Sequence, residues 1–91
     1  MNDQASTPKP IDEVRMGTIK AAIWRNATAA GVRHSITFRR LYTQMDGAKK
    51  SWKSTDSFGR DDLLVLAKVA DQAHTRLLEL QEQERHGPAE A

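Results

Sequence analysis

The chain has 91 residues, 38% of them hydrophobic, and no cysteine. That is one small domain, with neither a disulfide framework nor a thiolate metal site. The longest apolar run, Leu63 to Ala67, is far below the ~20 residues of a membrane span. The first residues lack the basic and apolar segments of a secretory signal, so the expectation is a soluble cytoplasmic protein.

The net charge of +2 conceals a strong asymmetry. Residues 1–60 hold eleven Lys/Arg against five Asp/Glu, a balance of +6, whereas residues 61–91 hold three against seven, a balance of −4. The window from Arg15 to Arg60 reaches +8 and contains all five aromatics: Trp24, Phe38, Tyr42, Trp52 and Phe58. Such asymmetry bears on partners more than on fold.

In chain order, residues 1–12 read as a polar tail with Pro8 and Pro10. The body follows over 13–80. Residues 81–91 hold a helix end and a second tail, with Gly87-Pro88 as a stop. Thr18–Asn26, Val32–Thr43 and Lys49–Phe58 are rich in β-branched and aromatic residues and tend to alternate, as strands do. Met45-Asp46-Gly47 marks a tight turn, and the short connections predict an antiparallel meander. Gly17 marks a bend or bulge early in the first strand.

From Asp61 the period becomes helical. Asp61 and Asp62 suit the positive end of a helix, and Ser57 or Gly59 is placed to cap it. Leu63, Leu66, Ala67, Ala70, Ala73, Leu77, Leu78 and Leu80 cover about half the wheel, more than the ~100° stripe that one packing surface needs. The predicted fold is therefore α+β: an antiparallel β-meander of three or four strands, then one long C-terminal helix on one sheet face.

Alternation assigns faces. Val32, His34, Ile36, Phe38, Arg40 and Tyr42 fall on the helix side, with Ile19, Ala21 and Ile23. Trp52 is placed inward with them, and His74 is read as a packed core histidine. The other face then carries Lys20, Trp24, Arg33, Arg39 and Lys53, with small hydroxyl residues between. Cations that track phosphates, beside a ring that takes an unstacked base, suit single-stranded DNA or RNA. Duplex recognition fits less well, since the only helix is acidic and committed to packing. A solvated basic face serving a protein-interaction or assembly module is the alternative reading. An exposed Trp24 favours nucleic acid; a face covered by another sheet favours assembly.

Nothing points to catalysis, a metal, or a small-molecule cofactor. There is no nucleophile elbow and no phosphate loop, and the dipole explains Asp61-Asp62. The wide apolar arc of the helix predicts a homodimer with Leu64 or Val65 near the contact.

The segments Ile19-Lys20-Ala21-Ala22-Ile23-Trp24-Arg25-Asn26, Ile36-Thr37-Phe38-Arg39-Arg40-Leu41-Tyr42, Trp52-Lys53-Ser54-Thr55-Asp56-Ser57-Phe58 and Asp62-Leu63-Leu64-Val65-Leu66-Ala67 resemble a group of small, mostly uncharacterised bacterial proteins, over about Arg15 to Leu80. That group implies no particular activity. In architecture, a curved antiparallel sheet followed by one helix is similar to Pur-type repeats and Whirly-type single-stranded-DNA-binding proteins. These use four strands per unit and bind as dimers or repeat pairs. Here the fourth strand would come from a split near Gly17 or from another subunit.

Overall fold

The computed structural model describes residues 9–86. The first part of the expected N-terminal tail, and the Gly87-Pro88 stop, lie outside the described residues. Four strands, β1 (Asp12–Met16), β2 (Ile19–Thr28), β3 (Gly31–Asp46) and β4 (Lys49–Thr55), form one antiparallel sheet in the order β1-β2-β3-β4. A 3₁₀ turn (Arg60–Asp62) leads into α1 (Leu63–His86), which packs against β1 and β2. The expected meander and C-terminal helix are present, with four strands. The fourth arises from a split at Gly17, whose φ of 62° opens a two-residue turn before Ile19. Gly47, at φ 66°, does the same between β3 and β4. A positive φ at the first central position alone fits a type II′ hairpin, where glycine avoids the Cβ clash.

The sheet is stepped rather than rectangular. The 16-residue β3 pairs with β2 through Gly31–Arg40 and with β4 through Arg40–Asp46. β1 pairs only with Ile19–Ile23. The β3–β4 hairpin therefore extends past the part of the sheet that α1 covers.

The core lies between α1 and the β1–β2–β3 corner. Ile19, Ala21, Val69 and Ala73 are buried together, with Val14, Met16, Ile36, Phe38, Phe58, Val65 and Leu66 packed around them. Ile23 is also fully buried. Polar contacts pin the helix along its length. At its start, the Asp62 carboxylate accepts from the Gly59 N–H at 2.8 Å and lies 3.3 Å from Arg40 Nε, which also donates to the Ser57 carbonyl at 3.2 Å. In its middle, Arg76 pairs with Asp12 of β1. Near its end, Glu84 accepts from Arg25 Nε at 2.8 Å and lies 3.6 Å from Nε2 of His34, a side chain only 5% exposed.

Three placements differ from the sequence reading. Trp52 is 62% exposed and faces away from the helix, because register sets it opposite Thr43. Lys53, one residue on, consequently lies on the helix side with Tyr42 and is absent from the open face. His74 is exposed on α1 and packs in no core. Val65 packs inward, so of the two residues expected near a dimer contact only Leu64 stays on the surface, 85% exposed.

Candidate nucleic-acid interface

Register decides what the uncovered sheet face displays, since directly paired residues share a face. Ile19, Ala21 and Ile23 point toward α1, so Lys20, Ala22, Trp24 and Asn26 point away. Arg33, Ser35, Thr37, Arg39 and Leu41 join them from β3, Glu13 and Arg15 from β1, and Lys50, Trp52 and Ser54 from β4. Four of the five expected site residues, Lys20, Trp24, Arg33 and Arg39, are thus on the same face; Lys53 is on the other.

The strand residues of this face include five cations, Arg15, Lys20, Arg33, Arg39 and Lys50, and one carboxylate, Glu13. Arg15 pairs in register with Lys20, and Lys20 with Arg39, so three cations stand in one row across three strands. Like charges directly opposite destabilise a sheet. Neutralisation is slight: Lys20 Nζ is 3.9 Å from Glu13, and Arg15 donates to the Gly17 carbonyl at 2.9 Å. Arg33 and Arg39 have no ion pair among the described residues. The helix side is built differently, for there Arg25 and Arg40 each meet a helix carboxylate.

Beside the charged row, Trp24 donates its indole N–H to Thr37 Oγ1 at 2.9 Å across the β2–β3 ladder. That bond holds the ring along the sheet and leaves it partly exposed. A shallow cleft of about 340 Å³ opens here, with Ala22 and Thr37 between Trp24 on one side and Lys20 and Arg39 on the other. The small side chains leave the space, and the ring and cations flank it. The cleft therefore offers a flat apolar surface for a planar group within reach of two positive charges, the pairing a nucleotide presents in base and phosphate.

Sequence reasoning missed Arg15, which required the β1–β2 register, and Trp52 with Lys50, which required the register of β4. The equal spacing of Lys50 and Trp52 in an i, i+2 pair was the available signal, but it fixed no face. Among the described residues there is no group of three or more His, Asp or Glu side chains able to hold a metal ion, and no helix is long and apolar enough to cross a membrane. Compared with family models, with curated proteins and with solved structures, the chain matches none.

Proposed function

We propose that this protein is a non-catalytic, cytoplasmic single-stranded DNA- or RNA-binding protein that works through its open sheet face. The observation that carries the reading is the Arg15–Lys20–Arg39 row beside the Trp24 cleft. A fold gains nothing in stability from three like charges in register, and each helix-side arginine in the same sheet is paired. A polyanion is the partner that turns this row from a liability into a binding term. The ring-walled cleft favours a strand whose bases are free to leave the stack over a closed duplex.

A homodimer accompanies this reading. α1 leaves Leu63 and Leu78 each 52% exposed, together with Leu64, on a surface its own sheet does not reach. Pairing through that surface would leave the basic faces open.

A mobility-shift comparison of oligo-dT, oligo-U and a duplex of equal length tests the function. The single strands are expected to bind more tightly. Binding of none of them at low salt would overturn the proposal and favour the protein-interaction alternative.

A further inference from the structure

Trp52 is the second tryptophan of the chain, and nothing in the fold uses it. It is 62% exposed, and no hydrogen bond holds its indole nitrogen among the described residues. It shares its face with Lys50, two residues earlier in β4, whose Nζ lies 6.0 Å from the ring centroid. Met45, paired with Lys50 across the ladder, is 61% exposed on the same face. A wide indole beside a cation repeats the ring-and-cation pairing of the Trp24 cleft at another place on the sheet, with a flexible thioether added.

The two rings are linked by a continuous path. Trp24 is opposite Ser35 and Trp52 is opposite Thr43, so β3 runs between them, with Thr37, Arg39 and Leu41 facing the same way. Eight residues of strand at ~3.3 Å, and two strand spacings of ~4.8 Å, place the rings about 28 Å apart along a diagonal. The cation row reaches this diagonal at Arg39, midway between the rings. At ~3.4 Å per nucleotide a stacked strand needs about eight nucleotides to reach from one ring to the other, and an extended one needs fewer.

We infer that Trp52 and Lys50 form a second base-stacking platform, and that one single strand lies diagonally across the sheet from Trp24 to Trp52. The inference rests on the single-strand reading above and adds to it a site length and a second set of contacts. Sites of this size fall within the ~4–16 nucleotides that sheet-based single-strand binders cover.

The chain's two tryptophans allow each platform to be read separately. In Trp52→Phe the remaining indole reports on Trp24; in Trp24→Phe it reports on Trp52. Both variants are titrated with dT4 and dT12 and followed by indole fluorescence, with circular dichroism confirming the fold. The expected result is quenching of both reporters by dT12, with dT12 bound at least tenfold more tightly than dT4 by the wild type. Trp52→Ala is expected to remove most of that length advantage while changing dT4 affinity less than twofold. A Trp52 reporter that stays silent with dT12 while the Trp24 reporter is quenched would overturn the second platform and leave the single-strand reading standing. No response of either reporter, and no binding by the wild type, would overturn both.

Discussion

Removing the charge of Arg39 should stabilise this protein while weakening its binding, an opposition of sign that follows from register alone. Arg39 is exposed, pairs directly with Lys20, and Lys20 pairs with Arg15. An unfavourable like-charge pair directly across a ladder amounts to about 0.2–1 kcal/mol. Glu13 offsets part of it at 3.9 Å from Lys20. Arg39→Gln keeps most of the side-chain stem and deletes the charge. For a domain of this size, relief of one such pair should raise the Tm by about 1–6 °C. The gain should shrink in 1 M salt, where the screening length is ~3 Å. Thermal melts by circular dichroism at low and high salt measure this, and oligo-dT titrations of the same samples measure affinity. The salt slope of binding should lose about 0.7, the share of one neutralised phosphate on a single strand. Arg25→Gln is the control of opposite sign, since Arg25 is paired with Glu84 at 2.8 Å on the helix side, and its loss should lower the Tm. A lowered Tm for Arg39→Gln, or unchanged binding, would refute the idea that the row is held in place for a polyanion.

Three further outcomes follow from the packing. Ile23→Ala empties a fully buried site and should cost about 2–4 kcal/mol in urea unfolding; a loss below 1 kcal/mol would move Ile23 out of the core. The hydrogen bond from Arg76, with a smaller one from the Glu13 N–H, holds the Asp12 carboxyl below its ordinary pKa. A lowered folded-state pKa contributes stability above the unfolded value of about 4, and that stability is lost as pH falls through the folded one. Arg76→Ala should therefore lower the Tm at pH 7, with the gap to wild type closing below about pH 4; a gap constant down to pH 3 would argue against the pair. Leu64→Glu combined with Leu78→Glu alters two exposed helix leucines and should turn a homodimer into a monomer of unchanged secondary structure, whereas a wild type that is already a 10 kDa monomer by light scattering at micromolar concentration would reject the dimer.

What the sequence disclosed, and what it withheld, depends on how much core each strand touches. The faces of β2 were legible because Ile19, Ala21 and Ile23 alternate with Lys20 and Trp24, and a one-residue slip would bury a lysine. β3 followed from Ile36 and Phe38 in the same way. β1 was only half legible: three of its five residues are charged and only Val14 and Met16 are apolar on the inward face, so it carried no strand pattern of its own beyond the split near Gly17. β4 failed differently. Its single large apolar residue, Trp52, was placed inward on hydrophobicity, but β4 pairs with the stretch of β3 beyond Arg40, where α1 provides no core to enter. Lys53 was carried to the wrong face by that one choice. His74 was misplaced because the apolar arc of α1 is wider than the part the sheet covers; Val69 and Ala73 are buried, while Leu63, Leu64 and Leu78 remain in water. The cation row was out of reach for a related reason: Arg15 meets Lys20 only once β1 is recognised as a strand, Arg39 is remote from both in sequence, and only the paired register of three strands brings them into line.

The most direct test of the account is the salt dependence of binding to a single-stranded 12-mer, measured from 50 to 300 mM salt beside a duplex of the same length. Five cations stand on the open face, and four or five phosphate contacts at ~0.7 each predict a log–log slope near −3, with the single strand bound more tightly throughout. A slope near zero, tighter binding to the duplex, or no binding of the single strand at 50 mM would contradict it.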